Sequence, residues 1–339
     1  MAHWVLSHPS ALAAAVALAA LWLLESVAPF FLHRTPRAPH GARNITLGLI
    51  NGALRAAFFP AALFAAATVG EERSWGLLRI AGLPIWANAI LAVLLLDLVN
   101  YAWHVASHHW RWLWRFHAVH HHDDAVDATT AFRFHAGDVI LNALVVVVAV
   151  AALGLRVEHV LLYEAILLPV SIFHHGNIRI SERLDRILRT ILVTPRMHWV
   201  HHSRWVRETD SNFAGIFSFW DRIFGTFRLR ADPATLELGL DGYDPADHRT
   251  LKGCLLTPFG PVKSLPGRAP DDAAYHDNQG GNDAGGRSRP LASPSTHPSR
   301  GRRLPLALAV ADHTPLDTRT LRPCPTQRPQ PSDPAFPAD

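Results

Sequence analysis

The sequence has only two cysteines, Cys254 and Cys324, and both lie in the last third of the chain. Two late cysteines argue against a disulfide framework and against a metal site built on several thiolates. Charged residues are also scarce, at 18% of the chain, whereas hydrophobic residues make up 49% and stand in long runs. Because about 20 apolar residues cross a bilayer as a helix, this composition favours a membrane protein with several spans.

Several functional motifs are missing from the sequence. It has no GxGxxG nucleotide fingerprint, no haem motif and no HExxH metalloprotease motif, and it lacks the Glu-x-x-His pairs of soluble di-iron bundles. No solenoid-type repeat is visible. The net charge is +4, but no basic patch is interleaved with aromatic residues, so no nucleic acid partner is expected.

The apolar runs predict four membrane segments. They are three spans at about 10–32, 45–69 and 84–103, and a helical hairpin at about 139–173. The amino terminus lacks the basic region and the cleavage site of a signal peptide, so it is interpreted as a retained first span.

One charge, Arg55, stands well inside the second predicted span. A charge at that depth predicts that the helix is tilted or partly buried against protein.

Arginines flank the apolar runs in a pattern that predicts orientation, because basic loops stay on the cytoplasmic side. The histidine-rich segments are expected to emerge on that same face. The arginines that lead to this prediction are Arg34, Arg37, Arg43, Arg111, Arg115, Arg179, Arg183, Arg186 and Arg189.

Periodicity and composition also predict an interfacial helix and a division of the chain into three regions. Residues 179–194 have the spacing of an amphipathic helix that lies near the membrane interface. Residues 1–230 are expected to form the main domain and residues 231–265 an extension. The Pro- and Arg-rich residues 266–339 are predicted to be a disordered tail.

Histidine is concentrated between His104 and His202, where 14 of the 22 histidines stand. Eight of them form three tight clusters. On a helix, residues three or four apart share a face, so each cluster can direct its imidazoles to a common point. The clusters are His104-x3-His108, His117-x2-His120-His121 and His198-x2-His201-His202.

Eight imidazoles are too many for one zinc ion, which takes about four ligands. They suit two transition-metal ions, and iron, zinc and copper all accept imidazole. The alternative is a pH-sensing or incidental surface cluster, since histidine also titrates near neutrality.

The spacing of the other histidines between His104 and His202 says less about metal binding. At least one of His174 and His175, at the end of the hairpin, is expected to reach the metals, and spacing leaves open which. For His135, a role as a metal ligand and a role in supporting a ligand are equally compatible with the sequence. His109 and His122 are expected to face outward or to support a ligand. His159 is interpreted as structural. Isolated histidines are assigned structural or surface roles: His3, His8, His33, His40, His248, His276, His297 and His313.

Carboxylates near the clusters are candidates to orient the imidazoles rather than to bind metal. A metal-bound imidazole usually donates its second N–H to a carboxylate or a carbonyl. Each candidate could equally be a solvated loop charge. They are Asp97, Asp123, Asp124, Asp127 and Asp210.

The ordered motifs resemble those of the sterol desaturase/fatty acid hydroxylase superfamily of membrane di-iron enzymes. The resemblance covers roughly residues 20–230. Family members often have Arg after the first histidine box and Ser after the second, where this chain has His109 and His122. The motifs are Asp97-x3-Tyr101-x2-His104-x3-His108, Leu113-Trp114-Arg115-Phe116-His117-x2-His120-His121, Thr194-Pro195-Arg196-Met197-His198-x2-His201-His202, Glu208-Thr209-Asp210-Ser211-Asn212 and Trp220-Asp221-Arg222-Ile223-Phe224-Gly225-Thr226.

The resemblance implies an all-α fold: a polytopic membrane helical bundle with a cytoplasmic, histidine-rich helical cap that carries a di-metal site. It implies two iron ions (Fe2+) held by the eight box histidines together with His174 or His175. Residues expected to support the ligands are Asp97, Tyr101, His135, Asn177, Asp210 and Asn212.

The function implied is O2-dependent hydroxylation or desaturation of a membrane lipid. With no nucleotide or haem motif, electrons are expected from an external ferredoxin or cytochrome-type donor. Sterol, fatty acyl chain, carotenoid and ether lipid stay open as substrates, and so does the oligomeric state. The competing hypotheses are a histidine-rich metal transporter or sensor, with ligands at mid-bilayer depth, and a catalytically silent lipid-binding relative.

Overall fold

The computed structural model describes residues 9–32, 35–243 and 249–260, and within these ranges the fold is all-helical. No strand occurs in the described residues, only three isolated β-bridges. The chain divides into two units, Met1–Ala284 and Gly285–Asp339, and every described residue belongs to the first. The tail predicted at 266–339 lies outside the described residues.

Twelve α-helices and three 3-10 turns make up the described part of the chain. They are α1 (Pro9–Val27), α2 (Arg37–Glu72), α3 (Leu77–Ile80), α4 (Ile85–His109), α5 (Arg111–His121), α6 (Ala136–Leu153), α7 (Val157–His175), α8 (Glu182–Leu188), α9 (Pro195–His201), α10 (Val206–Thr209), α11 (Phe219–Ile223) and α12 (Leu251–Leu256), with 3-10 turns at Ala128–Phe132, Pro233–Thr235 and Thr257–Phe259.

Four segments within the described residues are long and apolar enough to cross a membrane: Arg37–Ile80, Ile85–His109, Ala136–Leu153 and Val157–His175. They contain the second and third predicted spans and both arms of the predicted hairpin. α1 packs along α7, α4 packs against α6 and α7, and α2 packs mainly against α6. The bundle therefore leaves a space bounded by α2, α4, α6 and α7.

The first predicted span, 10–32, is shorter than expected. α1 ends at Val27, and its apolar part, Leu12–Val27, is shorter than the four long segments. The helix ends there because Pro29 disfavours helical geometry in the residue before it and has no N–H to donate. Pro29 pairs instead with Ile178 in an isolated bridge.

The hairpin turns sharply at Gly154, which has a φ of +69° and caps the end of α6. Only glycine adopts this left-handed conformation without a steric cost. A Cβ at this position would also stand 2.7 Å from the carbonyl oxygen of Trp75. The turn thus packs directly on the connector between α2 and α3.

The amphipathic helix predicted over 179–194 is wrong in length, because only α8 is helical there. The side chain of Ser181 caps its first turn by accepting from the N–H of Leu184. After α8 the chain bends, and Leu192 pairs with Phe217 in a bridge. This contact with a later loop competes with helix continuation and brings the chain to the start of α9.

Candidate metal centre

Nine histidines, nearly all of them buried, converge in two adjacent groups. Within each group the candidate ligand nitrogens lie within 4.8 Å of one another. The five-histidine group is His104, His108, His117, His121 and His201, and the four-histidine group is His120, His175, His198 and His202.

Helical periodicity explains how each cluster divides between the groups. His117 and His121 are four residues apart on α5 and enter the five-histidine group, whereas His120 points to the four-histidine group. Because neighbouring residues on a helix point about 100° apart, one HxxHH segment can serve both groups. His198 and His202 share the four-histidine group in the same way, and His201 joins the other.

α4 delivers the first cluster because it continues to His109, beyond the end predicted for the third span. His104 and His108 therefore lie one turn apart on one face. Trp110 then adopts an extended conformation, and α5 begins at Arg111. This break turns α5 so that its histidines meet those of α4.

Four members of the five-histidine group hold their Nδ1 against an oxygen acceptor and leave Nε2 buried without a hydrogen-bond partner. This is the arrangement that fixes the tautomer of a metal-binding imidazole. The Nδ1 partners are the Phe213 carbonyl for His104 (2.8 Å), Asp210 for His108 (3.1 Å), Asp138 for His117 (2.8 Å) and the Ser211 carbonyl for His201 (2.7 Å).

Short contacts within the four-histidine group also indicate metal binding. The Nδ1 atoms of His120 and His175 face the carbonyls of Arg133 (3.3 Å) and Ser171 (2.7 Å). A carbonyl only accepts, so each Nδ1 carries the proton and each Nε2 carries a lone pair. These two Nε2 atoms lie 3.2 Å apart, a separation that calls for a cation between them.

Burial keeps the histidines outside the membrane-spanning segments neutral. Burial first, and neighbouring imidazoles second, hold the pKa of His120, His121, His198, His201 and His202 well below the usual histidine range. Neutral imidazole is the form that binds a metal. The donor set of each group therefore fits a transition-metal ion, and its burial disfavours an incidental surface cluster.

A cavity of about 310 Å³ opens on the two groups from between the membrane helices. Its histidine end is lined by His104, His117, His120, His174, His175 and His198. Its walls come from α2, α4, α6 and α7 and include the apolar side chains of Trp103, Val139, Leu167 and Leu168. A chamber that combines apolar walls with a few polar groups is typical of a small-molecule site.

Comparison with known proteins agrees with this geometry. Residues 89–226 match the fatty acid hydroxylase family. The match covers less than half of the chain and supports the resemblance to the sterol desaturase/fatty acid hydroxylase superfamily. The matched range contains all nine histidines of the two groups.

Three relatives illustrate the superfamily's range. The chain is 25% identical over 209 residues to the ornithine lipid hydroxylase OlsE of Rhizobium tropici, covering 60% of each chain. It is 28% identical over 163 residues to alkylglycerol monooxygenase of Homo sapiens, covering 45% of this chain and 34% of that protein. It is 26% identical over 149 residues to cholesterol 25-hydroxylase of Homo sapiens, covering 43% and 53%.

The chain thus spans 60% or less of the length of these relatives. No solved structure matches it.

The structure distinguishes the two histidines that spacing left open. Of this pair, His175 joins the four-histidine group. His174 lies beside that group, with its ring centroid 4.1 Å from that of His198, and it lines the cavity.

His135 lies away from both groups. It caps α6 by accepting from the N–H of Gly137, and its Nε2 contacts the carbonyl of Leu255. Of the two histidines expected to face outward or to support a ligand, His109 is exposed. His122 is buried, and its Nδ1 accepts from Arg133.

The predicted carboxylates have different roles. Asp210 contacts His108, as an orienting residue would. Asp123 and Asp127 contact His40 rather than a box histidine, and Asp124 pairs with Arg249 near the surface.

Asp97, Tyr101 and Asn212 stabilise the loop that covers the histidines and make no direct contact with the rings. Asp97 accepts from the backbone N–H groups of residues 216 and 217 and from the indole of Trp220. Tyr101 contacts Thr226, and Asn212 donates to the carbonyls of residues 197 and 228. This loop supplies the carbonyls that hold His104 and His201.

Asn177 stabilises the segment after α1 and does not orient a histidine of the metal centre. Its side-chain oxygen accepts from the N–H groups of Phe30 and Phe31, and its amide donates to the carbonyl of Phe31. Its backbone N–H donates to the buried carboxylate of Glu25. Together these bonds hold α1 against the end of α7.

Three supporting features escaped the sequence-based prediction. Asp138 orients His117, and Asp221 accepts from the N–H groups of Phe213 and Ala214 beside the carbonyl that holds His104. Burial raises the pKa of Asp221 to about 6. Asp138 stands in the first turn of α6, and the motif Trp220-Asp221-Arg222 was the available signal for Asp221.

His40 is the third supporting residue that the sequence did not reveal. It is an isolated histidine in the sequence, so no local pattern indicated its hydrogen-bond partners. It is buried and contacts both Asp123 and Asp127, so α2 is tied to the loop after the second box. Arg133 extends this network by donating to the carbonyl of Val119 and to the side chain of Asn44. The network holds the carbonyl of Arg133 where it meets His120.

Proposed function

We propose that this chain is an O2-dependent di-iron oxygenase that hydroxylates, or desaturates, an unactivated C–H bond of a membrane lipid. The observation that carries the proposal is the two groups of buried imidazoles, whose free nitrogens face one another at the end of a cavity between membrane helices. The superfamily and the names of the relatives support a lipid oxygenase.

The five-histidine group would hold one iron ion and the four-histidine group the other. Two iron ions bound there would supply the redox chemistry that activates O2. His174 is proposed as a residue beside the centre, since its Nδ1 is buried without a hydrogen-bond partner.

The protein's own contribution is orientation and exclusion of water. In six of the nine histidines a carboxylate or carbonyl on Nδ1 keeps Nε2 unprotonated and directed at the centre, so these ligands need little reorganisation when metal binds. Leu167, Leu168 and Val139 give the cavity apolar walls that admit a lipid chain. A C–H bond held against the histidine end would be positioned for reaction and shielded from side reactions.

The relatives named above are hydroxylases and monooxygenases, which favours hydroxylation over desaturation. The flanking arginines support a cytoplasmic location for the histidine face, because basic loops stay on that side. Electrons would reach it from a separate ferredoxin or cytochrome-type donor.

The position of the histidines disfavours a metal transporter. His104, His108 and His175 lie in the last two turns of their helices, and the other ligands stand on the short helices α5 and α9 or just after them. A permeation path needs ligands at mid-bilayer depth, where these helices carry none of the nine histidines.

Metal content and product formation test the proposal together. The full chain, purified in detergent under reducing conditions, is expected to carry about two iron ions per chain. Lipid extracts of cells with and without the protein, compared by mass spectrometry, should differ by an added oxygen atom or by the loss of two hydrogens. Protein without iron and with unchanged lipids would contradict the proposal.

Substitution His120→Ala is expected to abolish product because His120 belongs to the four-histidine group and its Nε2 contacts His175. The variant should still insert in the membrane and should lose close to half of its iron. His109→Ala is the matched control, since His109 neighbours a box and is exposed. Full turnover by the His120→Ala variant would refute its assignment as a ligand.

A further inference from the structure

The charge inside the second predicted span has a partner across the cavity. Arg55 on α2 forms an ion pair with Glu164 on α7. Both side chains line the cavity that opens on the histidines, and each is 35% exposed. Charged residues within membrane helices usually pair and mark the path of a substrate or an ion.

The pair lies at a defined distance from the metal centre along α7. Glu164, Leu167, Leu168 and Ser171 all line the cavity, and this spacing places them on one helix face. Glu164 precedes His175 by 11 residues, which is about 16 Å along the helix. The cavity therefore has metal-binding residues at one end and an ion pair at the other.

The pair keeps hydrogen-bonding capacity that no described residue uses. Arg55 donates through Nη2 to Glu164 Oε1, and its guanidinium lies 5.1 Å from the ring centroid of Phe59. No other hydrogen bond to either side chain occurs within the described residues. Further N–H donors of Arg55 and the second carboxylate oxygen of Glu164 can thus bind a group that enters the cavity.

A purely structural role explains this position less well. α2 packs mainly on α6, whereas α7 packs mainly on α1, the 3-10 turn Ala128–Phe132 and α4. The ion pair therefore joins two helices that make little other contact. Bringing two charges into the membrane costs free energy that the ion pair recovers only in part. An apolar pair would join the two helices at lower cost.

We propose that Arg55 and Glu164 form a polar subsite for a hydroxyl group of the substrate. This rests on the proposed function and narrows it to a lipid alcohol whose hydroxyl is bound at the ion pair, at the end of the cavity away from the oxidised carbon. Arg55 donates to the hydroxyl oxygen, and the hydroxyl donates to Glu164. A neutral group leaves the charges of the pair balanced, whereas a phosphate or a carboxylate would add an uncompensated charge inside the membrane.

Equilibrium binding to the purified full chain in detergent tests this without turnover. The probe is radiolabelled hexadecan-1-ol, competed by unlabelled hexadecan-1-ol, hexadecane or hexadecanoate. The wild type is expected to bind the alcohol about 10- to 100-fold more tightly than the alkane, the range of one or two hydrogen bonds to charged groups. Arg55→Gln and Glu164→Gln should remove this preference while binding of the alkane stays unchanged.

Two further variants separate recognition from folding. The exchange Arg55→Glu with Glu164→Arg keeps both charges and is expected to keep the preference for the alcohol. The control pair Arg156→Gln and Glu158→Gln removes an exposed ion pair of the same residue types outside the cavity and should change nothing. Asn142→Leu alters another polar residue of the cavity wall and should leave the preference intact.

Three results would overturn the subsite: no preference for the alcohol in the wild type, variants that melt earlier yet keep the preference, or loss of the preference in Asn142→Leu alone. Failure of the proposed function would look different, as absent iron or unchanged lipids with alcohol binding retained. With active enzyme, alcohols of 14, 16 and 18 carbons should be oxidised at a constant distance from the hydroxyl. A constant distance from the methyl end would contradict the proposal.

Discussion

At the scale of single residues, a hydrogen-bond acceptor on Nδ1 orients most of the imidazoles of the metal centre. His108 and His117 use carboxylates, and His104 and His201 use backbone carbonyls. Each partner accepts a hydrogen bond and leaves the opposite nitrogen free. These hydrogen bonds therefore direct the four free nitrogens towards the metal centre.

Asp138→Asn tests this orientation directly. The amide can present its N–H to His117 and reverse the tautomer, so the affinity for Fe2+ is expected to fall by about 10- to 100-fold. Competition with a chelator of known affinity measures the change.

Asp124→Asn serves as the control, because this carboxylate is close to the second box but pairs with Arg249. It should leave the affinity for Fe2+ unchanged. Equal affinities in the Asp138 variant and the wild type would show that His117 needs no carboxylate.

The sequence indicated the roles of some residues and not of others, and the difference has a physical reason. Asp210 was predicted as an orienting residue, and the structure places it on His108. Asp138 was missed because α6, which carries it, follows α5 after a loop and a 3-10 turn whose path no local pattern specifies. Likewise, His174 and His175 are adjacent, and only packing separates their surroundings.

At the scale of helices, one histidine cluster can supply ligands to two metal sites, because neighbouring residues on a helix point in different directions. The i, i+4 pairs of α4 and α5 enter the five-histidine group, and His120, next to His121 on α5, enters the four-histidine group. This division follows from the helical repeat alone. The helix ends, in contrast, depended on tertiary contacts, as the short α8 shows.

Gly154→Ala tests the hairpin turn. Alanine at a φ of +69° is strained, and its Cβ would meet the carbonyl oxygen of Trp75 at 2.7 Å. The free energy of unfolding is expected to fall by about 1–3 kcal/mol, seen as an earlier thermal transition in detergent.

Gly52→Ala is the matched control, since it lies within α2 and a Cβ there meets nothing within 4 Å. It should leave the thermal transition unchanged or raise it, because alanine favours the helix. A Gly154→Ala protein as stable as the wild type would contradict the strained-turn interpretation.

At the scale of the whole molecule, the helical bundle has two distinct ends, one with the hairpin turn and the other with the histidine groups. The turn at Gly154 lies at the end of α6 and the start of α7, and His175 lies at the opposite end of α7. The arginine pattern predicts that the end with the histidines faces the cytoplasm.

Single-cysteine labelling tests this orientation in intact cells. In a background with Cys254 and Cys324 replaced by Ser, Arg156→Cys is expected to react with a membrane-impermeant thiol reagent. Arg183→Cys should react only after permeabilisation. Both arginines are exposed, so accessibility to the reagent is matched, and the reverse pattern would invert the topology.

By itself the sequence determined the helical class, the long apolar segments and the histidine boxes, because these depend on local periodicity and on the chemistry of single side chains. Tertiary structure alone decided which histidines share a group, which acceptor holds each ring, and that Arg55 meets Glu164 across a cavity. These pairings join residues more than 100 positions apart in some cases, as with His108 and Asp210. Only the packing of the helices brings such residues within hydrogen-bonding distance.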